Sequence, residues 1–220
     1  MNTDNEKVYL FGAGQIGEAI RDFIVYENLM SFGGFVVHSS HMTEEYQSRS
    51  DVFSIEQLAP GSQVFVALGY NKMNDVRADV FLEMQNRGMK SVSLVSRKAN
   101  ISGSCQYGKN VLIMEHNNIQ SSVQIDDNTL LWSGNHVGHH SKLGKNVFMS
   151  SHCVVSGNTT IGQNTFMGVN SSIADNVKIG DYNLIDMSAI VKNDTENFTY
   201  VKSIASDCIS LSEKKLKRLM

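Results

Sequence analysis

The chain has 220 residues, 41% of them hydrophobic and 19% charged, with a formal net charge of -3. This is the balance of an ordinary soluble protein with one large or two modest domains and a core to bury. It carries no basic patch interleaved with aromatics to meet nucleic acid, and no apolar run approaches the roughly 20 residues a membrane helix needs.

No charged, apolar and small-residue leader pattern opens the sequence, so the expectation is a cytoplasmic protein whose partners are small molecules. Cys105, Cys153 and Cys208 are odd in number and lack CxxC spacing, which indicates neither a disulfide framework nor a zinc ribbon.

Residues 7–95 read as strands alternating with helices, the pattern of a small parallel sheet. "KVYLF" is a short buried strand, and Gly12, Ala13, Gly14, Gln15, Ile16 and Gly17 turn into the helix "IGEAIRDFIVYEN". Further strands are expected at "GFVVH", "VFVAL" and "SVSLV", with a helix near "NDVRADVFLEMQNRG". Gly12-x-Gly14-x-x-Gly17 between strand and helix is a dinucleotide-type fingerprint, whose glycines allow a tight turn and whose free helix amides attract phosphate. The acidic residue that an NAD site wants at the end of the second strand is absent, since that strand runs into His38, Ser39 and Ser40. A glycine turn made only for close packing remains the competing reading.

From Ile101 the period changes. Ile101, Tyr107, Ile113, Ile119, Ile125, Leu131, Val137, Leu143, Met149, Val155, Ile161, Met167, Ile173, Ile179, Ile185 and Val191 place an apolar residue at every sixth position. The residue four further on is small or medium, and there Cys105 and Cys153 read as buried filler. A period of six fits neither an amphipathic helix nor a long strand. It fits a solenoid in which three hexads close one triangular coil and residues eighteen apart stack. Fifteen hexads predict five coils, with the periodicity ending after Val191. In the tail, Ser210 stands three residues before Glu213 in capping-box spacing ahead of a short basic helix, a polar cover for the open solenoid end. The expected domains are therefore 1–98, 99–195 and 196–220.

The run "IGQNTFMGVNSSIADNVKIGDYNLI" resembles the hexapeptide-repeat acyltransferases, and that likeness implies a left-handed parallel β-helix. A half-Rossmann α/β domain ahead of the solenoid resembles, over nearly all of residues 7–195, the nucleotide-amino-sugar N-acetyltransferases and sialic acid O-acetyltransferases. The resemblance implies acetyl-CoA as co-substrate, no metal, a homotrimer, and a nucleotide-linked amino sugar, a 4-amino-4,6-dideoxyhexose or close analogue, made for surface glycans. The nucleotide, whether UDP, dTDP, GDP or CDP, stays open.

By the same likeness, the sugar nucleotide meets Gly12, Gly14, Gln15, Ile16, His38, Ser39, Gly69 and Asn71, with Tyr70 in the last loop. Paired Asp residues, frequent at the second of these sites, are replaced here by His38 and Ser39. "VGHHSKLG" matches the catalytic motif and makes His139 the general base, with His140 where relatives carry an acid. Stacking places Gly157 above His139, a bare amide for the thioester oxygen as it becomes negative. Ser151, Val169 and Met187 form a second column, and with Gly157 they are the expected contacts of acetyl-CoA between subunits. Trp132 and Phe148 are expected either to line the sugar pocket or to pack between subunits. Outward Met114 and Phe166 favour burial in a trimer.

Sugar O-acetylation is the close alternative. A zinc enzyme built from His136, His139, His140 and His152, and a scaffold without catalysis, are the more distant ones.

Overall fold

The computed structural model describes residues 7–204 together with 210, 212, 215 and 217. Strands β1 (Lys7–Phe11), β2 (Ser31–Val37), β3 (Val52–Ser54), β4 (Gln63–Val66) and β5 (Lys90–Ser91) form one parallel sheet in the order β3-β2-β1-β4-β5. Helices α1 (Gln15–Tyr26), α2 (Glu44–Ser48) and α3 (Asp75–Asn86) lie in its connections. β4 is buried throughout and β1 at Val8, Leu10 and Phe11, as central strands covered on both faces are. β3, with its three residues, has no sequence counterpart among the expected strands, so "VFVAL" is the fourth strand in chain order. "SVSLV" also divides. Ser91 ends β5, while Leu94–Val95 pairs with Leu112–Ile113 and opens the solenoid a few residues ahead of Lys98.

The solenoid consists of two-residue strands arranged in three parallel sheets. The first face runs from Asn100–Ile101 to Ile190–Val191, the second from Gln106–Tyr107 to Lys178–Ile179, and the third from Leu94–Val95 to Tyr200–Val201. Register is eighteen residues throughout, as in Ile119 with Val137 and Val137 with Val155. After Val191 one further strand, Tyr200–Val201, pairs with Leu184–Ile185 at a spacing shortened to sixteen, so the coil outlasts its sequence period. The aliphatic column fills the interior from Ile113 to Val191, each fully buried side chain contributing about 1.5–3 kcal/mol. Tyr107 is the exception. It sits in the first coil of the second face, with no lower coil to cover it, and is 46% exposed.

The corners explain the hexad. The third residue after each inward aliphatic adopts positive φ, from Asn110 (54°) through Asn128 (59°), His140 (59°), Asn146 (61°), His152 (60°) and Asn158 (52°) to Ser188 (58°). Asn tolerates this left-handed region better than most residues because its short amide bonds locally. Asn predominates there accordingly, and His116, His140 and His152 occupy three such corners.

At the corner between the second and third faces the asparagines form a ladder. Asn110 Nδ2 donates to Asn128 Oδ1 (2.8 Å), Asn128 to Asn146 (2.8 Å) and Asn146 to Asn164 (2.9 Å). Val66 N closes its lower end on Asn110 Oδ1 (2.7 Å) and Asp75 Oδ1 its upper end on Asn164 Nδ2 (2.9 Å), tying the solenoid to β4 and α3.

The third face is covered by the N-terminal domain. Leu94, Leu112, Leu130 and Phe148 join Ile20, Phe23 and Ile24 of α1 in one apolar cluster. Met114 and Phe148 are buried there, and Trp132 and Phe166 are packed against it. Their outward apolar character is thus consumed within the chain and gives no support to a subunit interface. The tail expectations at Cys208, Glu213 and the basic helix fall on residues outside those described.

Candidate active site

The glycine turn is built as its sequence implies. A β-carbon at Gly17 would overlap the Gly12 carbonyl, so α1 can approach β1 only with glycine there. No side chain caps α1 at Gly14, which leaves its first amides for an anion. Gly12, Gly14, Gln15, Ile16 and Gly69 line one cavity of about 280 Å³. An adjoining cavity of about 490 Å³ shares Gly12 and Gly14 and adds His38, His41, Thr43 and Tyr46.

His38 is held edge-on to Phe11, with its Nε2 2.8 Å from Glu83 Oε2. Burial tends to raise the Glu83 carboxyl, but hydrogen bonds from His38 and Arg87 outweigh it and hold the group below the usual carboxylate range. Ser39 does not face either cavity. Its hydroxyl donates to Glu56 (2.6 Å) and meets Ser54 (2.7 Å). Asn71 is exposed and lines neither cavity. Trp132 lies against Phe148 with centroids 6.3 Å apart, in the cluster beneath the N-terminal domain and in neither cavity wall. Its buried indole N–H has no acceptor among the described residues.

His139 and His140 follow Val137 at the corner between the first and second faces, both exposed. The eighteen-residue stack holds here: a β-carbon on Gly157 would stand 2.8 Å from His139 Cε1 and 2.9 Å from Nε2. Only glycine lets the imidazole rest against the coil above. The ladder leaves this corner's second residue without a strand partner, and elsewhere a side chain one coil up takes the amide, as Asp127 does for Lys109 and Asp181 for Gln163. The Gly157 N–H has no such acceptor among the described residues. Asp175, one coil higher, instead bonds Asn176, with its Oδ1 3.1 Å from the same β-carbon position. The His139 imidazole and the Asp175 carboxylate therefore both close on the backbone of Gly157. His140 Nδ1 lies 3.2 Å from His139 Nδ1, the rings at 81°. One of the two nitrogens must be the donor.

Ser151, Val169 and Met187 stack at the corner between the third and first faces, joined by Asn170 N to Ser151 O (3.2 Å) and Ser188 N to Val169 O (2.8 Å). Val169 and Met187 are exposed, at 38% and 58%. The first face separates this column from His139, so the structure does not bring the two together within one chain. His136 is on that face beside Asn118, and His152 covers Gly134 at the other corner. Among the described residues no three His, Cys, Asp or Glu side chains form a metal-sized group.

Arg77, His41, Tyr46, Glu83 and Asp175 were not foreseen. Asp175 was within reach, being eighteen residues beyond Gly157. Arg77 had no sequence signal, because a charged residue on a helix reads as solvent-facing. It is fully buried, and burial pushes its guanidinium down to about 9, still charged at neutral pH. Ahead of it Lys72, Met73 and Asn74 are all left-handed, with φ of 51°, 52° and 70°, a conformation costing non-glycine residues about 1–2 kcal/mol each.

No protein-family profile and no curated protein sequence matches the chain. Solved structures do. PerB from Caulobacter crescentus, in complex with CoA and GDP-perosamine, superposes with a TM-score of 0.76 at 19% identity, covering 88% of this chain and 92% of that one. The acetyltransferase domain of PglB from Neisseria gonorrhoeae, in complex with acetyl coenzyme A, gives 0.78 at 20% identity over 89% and 95%. WeeI from Acinetobacter baumannii gives 0.76 at 17% over 88% and 94%. The likeness is one of fold: a parallel α/β domain followed by a left-handed parallel β-helix.

Proposed function

We propose that the chain is an acetyl-CoA-dependent N-acetyltransferase acting on a nucleotide-linked amino sugar. The observation that carries this reading is the convergence of the His139 imidazole, the free Gly157 amide and the Asp175 carboxylate. A glycine turn with uncapped helix amides, suited to a diphosphate, stands in the same molecule. The PerB structure holds CoA and GDP-perosamine on this fold, which supports the same pairing of ligands here.

His139 Nε2 takes a proton from the sugar amine as the nitrogen attacks the thioester carbonyl. The Gly157 N–H donates to the oxygen as it becomes negative, a donor worth about 3 kcal/mol in such sites. As the carbon–sulfur bond breaks, the proton passes from His139 to the departing CoA sulfur. His139 can act as base only if Nδ1 carries its hydrogen and donates to the His140 Nδ1 lone pair. His140 thus orients the base without adding negative charge, and Asp175 supplies that charge from the other side.

The N-terminal domain covers the third face, whereas His139 sits on the opposite corner. An acceptor held by one protomer therefore meets His139 of a neighbouring protomer, with acetyl-CoA along Ser151, Val169 and Met187. Val154 and Ile190, exposed at 39% and 67% on the intervening face, are surfaces that a cytoplasmic homotrimer would cover. The test incubates the protein with acetyl-CoA and GDP-, UDP-, dTDP- and CDP-linked amino sugars, measuring CoA release beside light scattering. Release with one class from a trimer is expected; a folded protein that releases no CoA with any of them is not this enzyme.

A further inference from the structure

We propose that Arg77 is a positioning residue that sets the wall of the nucleotide cavity against the chain's own solenoid, an inference that rests on the reading above. All five of its N–H donors are matched. Nη1 donates to Gly69 O (2.9 Å) and Asn74 Oδ1 (3.0 Å), Nη2 to Asn146 O (2.7 Å) and Val147 O (3.4 Å), and Nε to Asn128 O (3.4 Å). No carboxylate is among these partners. The cation instead lies over the Phe148 ring, 5.7 Å from its centroid.

A buried charge with five neutral acceptors is costly to assemble and is held only where every donor is met. Three of the acceptors belong to the solenoid, where Asn146 and Val147 lie in the same coil as His139. Another, Gly69 O, belongs to the cavity wall formed with Gly12, Gly14 and Ile16. The left-handed turn Lys72–Asn74 joins wall to helix, and buried Asn74 fixes it by donating to Asn164 O (3.1 Å) while accepting from Arg77. Tyr70, next to Gly69, rests on the rings of Phe148 and Phe166 at 5.2 and 4.6 Å. Strain held by buried partners beside a ligand cavity is the usual form of a preset site. Here the guanidinium decides where Gly69 stands. A lysine, with three donors on one atom, cannot reach the wall and both coils together.

Binding of GDP, UDP, dTDP and CDP, and separately of CoA, is measured by calorimetry on the full chain and on Arg77→Lys and Asn74→Gly. Glycine accepts the φ of 70°, so the second variant spares the backbone turn and keeps the cation, and it decides the matter if the first does not fold. The expected result is at least a tenfold weaker affinity for the nucleotide that the unaltered protein binds, with CoA affinity within twofold. Unchanged nucleotide affinity in a folded variant, or equal loss of both ligands, overturns the positioning role while leaving the proposed function standing. No nucleotide bound by the unaltered protein removes the proposed function itself, and this inference with it.

Discussion

The His139 ring lies against Gly157, one coil above it, so closely that a β-carbon there would stand 2.8 Å from the ring's Cε1. His139→Asn is expected to lower kcat at least 10²-fold, the usual range for loss of a general base, with the KM for acetyl-CoA little changed. Gly157→Ala leaves the base in place chemically but displaces its ring, and should cost about tenfold or more in kcat. Steady-state kinetics with the accepted sugar nucleotide measures both, and full activity in Gly157→Ala would remove the stacked site.

His140 meets the His139 ring and Asp175 lies beside Gly157, and variants of the two separate orientation from charge in the proposed site. His140→Asn suits the left-handed corner, where asparagine is the commonest residue, so the fold should persist. His140→Asn should lower kcat about tenfold, because the ring that accepts the His139 Nδ1–H is gone, and Asp175→Asn should lower kcat by a similar factor by withdrawing negative charge. The kcat values of both variants and of the double variant read the outcome: separable losses distinguish orientation from charge, and an unchanged kcat in either variant removes that residue from the site.

Asn128 occupies the middle of the amide ladder, fully buried and with φ of 59°. Asn128→Ala removes two buried hydrogen bonds and leaves a left-handed alanine, for an expected loss of about 2–4 kcal/mol. Asn128→Gly restores the backbone alone and should recover about 1 kcal/mol of it. Denaturant titration of the two variants distinguishes the ladder from the corner.

Glu56 is held down to about 2 by the hydroxyls of Ser39 and Ser54. A carboxylate with a depressed folded value stabilises the protein above its unfolded value of 4.5, and that contribution fades as pH falls from there toward 2. Glu56 is solvent-exposed, so the effect is modest. Glu56→Gln should flatten the fall in Tm between about pH 4.5 and 2, and an unchanged slope in thermal melts would contradict the assignment.

Much of the solenoid was legible because its coil geometry repeats in the chain itself. A period of six, three hexads to a coil, fixes which residues face inward and which stack, and so places His139 beneath Gly157. The glycine turn into α1 was legible for the same local reason, since tight backbone approach admits only glycine. The sequence period could not show its own continuation: Leu94–Val95 and Tyr200–Val201 belong to the coil through hydrogen bonds to neighbours, not through spacing.

What only the tertiary structure decided is where outward-facing residues go. Met114, Trp132, Phe148 and Phe166 look alike in sequence whether they meet another chain or their own N-terminal domain, and the docking of α1 on the third face settles it. Ser39 and Asn71 fit a nucleotide site by position, yet Glu56 captures one and solvent the other. Arg77 reads as an ordinary helix-surface cation until backbone carbonyls from the Gly69 loop and from two coils of the solenoid close around it. Local sequence fixes the inward side of each coil because burial there depends on the residue and its stacked neighbours alone. The outward side depends on what the rest of the chain brings to it.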